Sequence, residues 1–301
     1  MRLIRFRGAS QSGASQSRAS QDGPHVGVLD EDAGTVTTLP GSPALADLLA
    51  LPVSELRDLL ESPGGDQVPL DGAELLAPID GRTEVWAAGV TYERSRDARI
   101  TESEESADVY DRVYTAERPE LFFKSASWRV RGPGRAVSVR ADSQIDVPEP
   151  ELAAVLNYAG EVAGYTICND LSSRSIEGQN PLYLPQAKIY LGGCAVGPWI
   201  RPAWEIADPY DLAMELTITR AGAVAWHGKS STSGLRRRIP ELASYLFRED
   251  DFPAGVILST GTSLVPDLPF TLQAADEITM AIAGIGELTN PVVRGKSALT
   301  R

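Results

Sequence analysis

The sequence predicts an α+β fold that is mostly β, with a small mixed unit leading into a larger strand-rich one. Three observations carry this. From Glu84 onward, short apolar runs recur with glycine, proline or aspartate between them, the punctuation of a largely β architecture. Leucines at helical spacing are concentrated early, between Ser42 and Glu61. With 301 residues and 43% hydrophobic content, the chain can bury a real core, and its length suits one large domain beside a small one.

Taken in order, MRLIRFR, HVGVLD and TVTTL read as short strands. Between the first two lies GASQS-GASQS-RASQD, a near-repeat from Gly8 to Asp22. Small polar residues with no apolar period cannot build a core, so this segment is expected to be a mobile, functionally neutral hairpin expansion. Leu45, Leu48, Leu49, Leu56, Leu59 and Leu60 give helical spacing, broken by Pro52 and ended by Pro63-Gly64-Gly65. The small unit is therefore expected to span residues 1–80 and the larger one 81–301. In the second unit VWAAGV, LFFK, AVSVR, LAAVLNYAG, VAGYTICND, DLAMELTITR, GVILSTGT and EITMAIAGIGEL read as strands. Helical pieces are expected over about 92–116 and 236–247. The first carries TYERSRD, whose charges suit a turn over a pocket or, equally, a salt-bridged solvent face.

A net charge of −13 argues against nucleic acid and anionic membrane as partners, since both require a basic footprint. No apolar run reaches the roughly 18 residues of a membrane span, and MRLIRFRGASQSG has no signal-peptide core, so a cytoplasmic location is expected. Cys168 and Cys194 are the only cysteines and read as small core residues in a reducing compartment. The only histidines are His25, in the small unit, and His227, in what reads as a polar AWHGKS turn. Neither supports a Ser-His-Asp or Cys-His site.

The chemistry concentrates in the middle of the chain. In VPEPELAAVL, Glu149 and Glu151 are two apart, so in an extended strand they face the same side, about 6–7 Å apart. Pro150 removes a ladder N–H and suits a strand edge or entrance. Asp170 closes the apolar run GYTICND. Glutamates two apart are common by chance in a chain with 41 acidic residues, but these open or close apolar strands, where a charge must be paired or metal-bound. Three carboxylates without histidine or thiol favour Mg²⁺ or Mn²⁺. Such an ion would also offset the acidic balance for an anionic substrate. Of the four lysines, Lys124 and Lys188 fall in these apolar segments; both are expected at the substrate.

GVTYERS, RPELFFK, VPEPELAAVL, VAGYTICNDLSSR, QAKIYLGGCAVGP and LSTGTSLVP, in this order over about 84–290, resemble the fumarylacetoacetate hydrolase family. The resemblance implies a β-sandwich-roll catalytic domain, a Mg²⁺ ion on Glu149, Glu151 and Asp170, a small-molecule 2-keto acid substrate, and a homodimer or homotetramer. It further implies substrate contacts at Lys188 and Thr262, and a carboxylate near the reacting carbons at Glu120. RPELFFK and NPLYLPQAKIY are most similar to members that dehydrate a 2-keto-3-deoxy-pentonate to 2,5-dioxopentanoate. In that reaction Glu120, its pKa raised beside Phe122 and Phe123, would shuttle protons. Lys188 would hydrogen-bond the substrate carboxylate or enolate oxygen, a Schiff base on Lys188 being the rival.

One departure bears on the reaction. Hydrolases of the family carry a histidine and, three residues later, a glutamate that activate water; Ser95 and Ala98 stand at those places here. Elimination is therefore expected over C–C hydrolysis. The alternatives are an acylpyruvate hydrolase, a keto-acid decarboxylase, and a noncatalytic metal-binding member of the family.

Overall fold

The structure, a computed structural model, describes residues 1–8, 23–93 and 112–299. The polar near-repeat from residue 9 to 22, Ser95, Ala98 and most of the expected helix over 92–116 lie outside the described residues.

The N-terminal strands β1 (Arg2–Arg7), β2 (His25–Asp30), β3 (Thr35–Thr38) and β4 (Gln67–Pro69) form an antiparallel meander, and β5 (Glu74–Leu76) pairs with β1. Helices α1 (Leu45–Leu48) and α2 (Val53–Glu61) fall where the leucine spacing placed them, with Pro52 at the N-cap of α2. Asp80 accepts the backbone N–H groups of Leu45 (3.0 Å) and Ala46 (2.9 Å), satisfying donors that the first turn of α1 leaves free.

The rest of the chain supplies β6 (Glu84–Gly89), β7 (Glu120–Ala126), β8 (Val137–Val139), β9 (Asp146–Val147), β10 (Pro150–Leu156), β11 (Val162–Asp170) and β12 (Ser172–Ser173). After the short helices α3 (Arg174–Glu177) and α4 (Leu184–Lys188) come β13 (Cys194–Pro202), β14 (Ala213–Arg220), β15 (Ala223–Ser231), α5 (Ile239–Leu246), β16 (Val256–Ser259), β17 (Glu277–Ile282) and β18 (Gly286–Arg294). Among the described residues one long sheet runs β4-β3-β2-β1-β13-β11-β10-β16-β6-β7, and a five-stranded sheet runs β15-β14-β17-β18-β8.

Strand β10 sits mid-sheet between β11 and β16 and is buried on both faces, which explains why PELAAVL reads as a continuous apolar run rather than an alternating one. Leu152, Ala154 and Leu156 enter a core shared with Leu216, Ile218 and Met280 of the second sheet. Ala153 and Val155, pointing oppositely, pack with Leu45, Leu49 and Leu56 of the N-terminal unit. The strand that leads out of the acidic cluster is thus clamped from both sides.

Two local readings are corrected. AWHGKS is not a turn: it forms the edge strand β15, with His227 Nε2 2.7 Å from Glu215 Oε1 on β14. An exposed edge strand lacks an apolar face, so its pattern imitates a loop. QAK belongs to helix α4 rather than to a strand-like segment, because Pro185 at the first turn initiates a helix. Among the described residues no helix is long and apolar enough to cross a membrane.

Candidate active site and metal centre

Antiparallel pairing of β10 with β11 brings the carboxylates together. Pro150 lies opposite Asn169, so Glu149 just before β10, Glu151 within it and Asp170 at the end of β11 converge. Pro150 occupies the first strand position, as its missing N–H requires. All three carboxylates are buried, and each offers an oxygen within 4.8 Å of the others.

Lys188, at the end of α4, donates from Nζ to Glu149 Oε2 (2.7 Å), Asp170 Oδ2 (2.9 Å) and Ser172 Oγ (2.5 Å), matching the three donors of an ammonium. Lys124 of β7 reaches the cluster from behind. Its Nζ pairs with Asp170 Oδ1 and donates to the carbonyls of Leu171 (3.0 Å) and Lys188 (2.7 Å). Arg174 Nη2 lies 3.0 Å from Glu149 Oε1.

Glu151 is held differently. Its Oε2 accepts from Ser259 Oγ (2.5 Å) and from the backbone N–H of Gly261 (2.8 Å). Burial, with Asp170, Cys168 and Glu149 close by, pushes its pKa well above the usual carboxylate range. Crowded carboxylates of this kind share a cation or a proton. The donor set fits a hard divalent ion, since it is all oxygen and gathered in one buried cluster. The Lys188 ammonium, bridging Glu149 and Asp170, shows that these oxygens accept a positive charge.

A narrow cleft over the triad is lined by Glu120, Phe122, Glu177, Lys188 and Thr262. Glu120 lies opposite Gly89 in the β6–β7 ladder. A Cβ on Gly89 would fall 2.1 Å from Glu120 Oε2, so the carboxylate rests in space that only glycine leaves. At the far wall, Gly261 adopts φ +92° beside Thr91, and a Cβ there would lie 2.0 Å from Thr91 Oγ1. Thr262 Oγ1 accepts from Leu264 N (3.1 Å), which ties this loop to itself.

Of the residues singled out in the sequence, Glu120, Glu149, Glu151, Asp170, Lys188 and Thr262 meet in this one cleft. Lys124 does not line it; its side chain is 0% exposed and faces Asp170 from the protein side. Arg174, Glu177, Ser172 and Ser259 were missed. Ser172 and Arg174 follow Asp170 in NDLSSR, where a serine two positions and an arginine four positions after a buried carboxylate were the available signal. Ser259 precedes Gly261 in STGTS with only its hydroxyl to mark it. Cys168 is poorly suited as a nucleophile, because donating its S–H to Cys194, together with burial, pushes its thiol well above the usual range.

The family model for the C-terminal part of fumarylacetoacetate (FAA) hydrolase covers residues 85–293, and the chain belongs to that family. Among its relatives is a probable 2-keto-3-deoxyxylonate dehydratase of Haloferax volcanii, 46% identical over 246 residues, or 82% of each chain. Another is the 2-dehydro-3-deoxy-D-arabinonate dehydratase of Saccharolobus solfataricus, 43% identical over 74% of this chain and 76% of that one. A solved structure of 2-keto-3-deoxy-D-arabinonate dehydratase complexed with magnesium and 2,5-dioxopentanoate superposes with a TM-score of 0.79 at 35% identity, covering 98% of this chain and 99% of that one.

Proposed function

We propose that this chain is a Mg²⁺-dependent dehydratase that converts a 2-keto-3-deoxy-pentonate to 2,5-dioxopentanoate. The observation that carries the reading is the convergence of the buried triad, Lys188 and Glu120 on one cleft, in a chain 46% and 43% identical to dehydratases of such acids. Glu149, Glu151 and Asp170 would hold the ion. When bound, the ion supplies Lewis-acid polarisation of the 2-keto group and a two-point hold on the keto acid.

The side chains then divide the work. Glu120, across the cleft, takes the proton from C3. The Lys188 ammonium, released from one of its carboxylate contacts, donates a hydrogen bond to the substrate carboxylate or to the enolate oxygen that develops at C2. The C4 hydroxyl departs with a proton as water, leaving an unsaturated keto acid. Glu120 next moves a proton from C5 to C3, and the resulting C5 enol tautomerises to the aldehyde. Thr262 and its loop orient the substrate from the opposite wall. Lys124, buried against Asp170 and the Lys188 carbonyl, positions the site rather than touching substrate. Within the same reading the protein is cytoplasmic and assembles as a homodimer or homotetramer.

The test is direct. Purified protein with Mg²⁺ should convert 2-keto-3-deoxy-D-arabinonate to 2,5-dioxopentanoate, followed by coupling to a semialdehyde dehydrogenase. If acylpyruvates are cleaved faster than the sugar acid is dehydrated, the reaction assigned here is wrong.

A further inference from the structure

A second concavity lies where the N-terminal strands meet the segment that follows β7. This cleft of about 330 Å³ is lined by Arg5 and Arg7 of β1 and by Arg131 and Arg135, with Leu76 and Val130 among its apolar walls. Arg5 and Arg7 are alternate residues of one strand and so share a face. The opposite wall is fixed by main chain. Arg131 N–H donates to the Cys194 carbonyl (2.9 Å), and its own carbonyl accepts from Val196 N (3.0 Å). The walls approach closely at Gly132, where a Cβ would fall 2.5 Å from Ala77 N. The cleft is therefore part of the folded frame rather than a chance meeting of surface side chains.

Its charge runs against the rest of the molecule. Glu74 and Asp80 pair with three of these guanidinia, and both carboxylates are shared. Glu74 meets Arg7 (3.2 Å) and also Arg135. Asp80 lies 3.2 Å from Arg5 Nε while accepting the N–H groups of Leu45 and Ala46. Arg131 gives its Nε–H to the neutral carbonyl of Ala136 (2.8 Å), and burial together with nearby Arg135 lowers its pKa. Guanidinia gathered in this way, in a chain of net charge −13, repel one another, and a further anion held among them relieves that repulsion. Their planar forks match phosphoryl and carboxylate oxygens in paired hydrogen bonds.

We propose that this arginine-lined cleft binds a small dianionic metabolite through phosphoryl or paired carboxylate oxygens, at a site separate from the catalytic cleft. Its volume is at the low end for small-molecule sites, which suits a metabolite rather than a polymer. The apolar walls strengthen each ion pair by lowering the local dielectric.

The full-length protein with Mg²⁺ bound would be titrated with inorganic phosphate in one arm and succinate in the other, with NaCl at matched ionic strength as reference. The expected result is a rise in the unfolding midpoint that grows with the logarithm of anion concentration and reaches about 2–4 °C at tenfold excess over Kd, and the responding arm identifies the anion's source. Arg7 and Arg135 have side chains 45% and 50% exposed, so the double variant Arg7→Gln/Arg135→Gln should fold and lose the rise. Arg57→Gln, which removes a charge on α2 away from the cleft, should keep it. A midpoint that follows NaCl in both arms, or a rise that survives in the double variant, would overturn the proposal.

Discussion

Asp170 is held by two ammonium groups, since Lys188 and Lys124 both bind it while it supplies an oxygen to the triad. Asp170→Asn keeps the shape and removes the charge, so it should weaken Mg²⁺ binding by calorimetry and lower turnover at least a hundredfold. Excess chelator should abolish wild-type activity, and Mg²⁺ or Mn²⁺ should restore it; undiminished activity in chelator would sink the metal assignment. Glu120→Gln should lower kcat by about 10²–10⁴-fold, the usual range for a positioned acid-base group, while KM changes less. Full activity in that variant would mean the base lies elsewhere. Asp146, 0% exposed, tests a different property. Burial pushes its pKa up to about 6 against the opposing pull of Ser143, Arg294 and Arg140. A folded-state pKa above the unfolded value of about 3.9 means the folded chain holds the proton longer, so this group's ionisation opposes folding as pH rises from about 4 through 6. Asp146→Asn should therefore raise the unfolding midpoint at pH 7.5, with the gain shrinking toward pH 4. A gain that grows on acidification would contradict the sign.

Gly89 shows how a strand can position a carboxylate by what it lacks. The β6–β7 ladder sets Gly89 opposite Glu120, and the 2.1 Å approach of a Cβ to Glu120 Oε2 means that Gly89→Ala must displace the carboxylate. Because the obstacle is the end of a side chain rather than backbone, the fold should survive with a midpoint within a few degrees of wild type while kcat falls by an order of magnitude or more. Unchanged kcat would show that Glu120 need not rest against β6. This dependence could not be read from VWAAGV, since register across two strands is a tertiary fact. What could be read was chemistry carried on apolar runs: a carboxylate beside a buried strand must be compensated, so Glu149, Glu151 and Asp170 were legible from position alone. Lys188 was found from its apolar neighbours although its element is a short helix. Arg174 and Ser259 escaped because a lone arginine or serine has no period, and the partners that give them meaning lie 25 and 108 residues away in sequence. The same limit made β15 look like a turn, for an exposed edge strand shows neither apolar face nor breaker.

At the scale of the whole molecule, the division at residue 80 is a proposal about chain order, and the packing argues that the two parts fold together. Leu45, Leu48, Leu49, Leu56 and Leu60 of the N-terminal unit share one core with Val85, Ala153, Val155, Cys168 and Ile257 of the site-bearing sheet, and β1 joins that sheet at Leu3 opposite Ile200. Apolar surface on the back of β10 and β11 would face water if residues 1–80 came away, and such a patch drives aggregation. Calorimetry should therefore record one unfolding transition for the full chain. Leu49→Ala, which removes a side chain 1% exposed at that junction, should destabilise the molecule by about 2–5 kcal/mol and shift that single transition downward. A fragment of residues 81–301 should be poorly soluble or bind a hydrophobic dye. Two separate transitions, of which Leu49→Ala moves only the first, would mean that the catalytic unit stands alone and that the shared core contributes little to holding the triad in place.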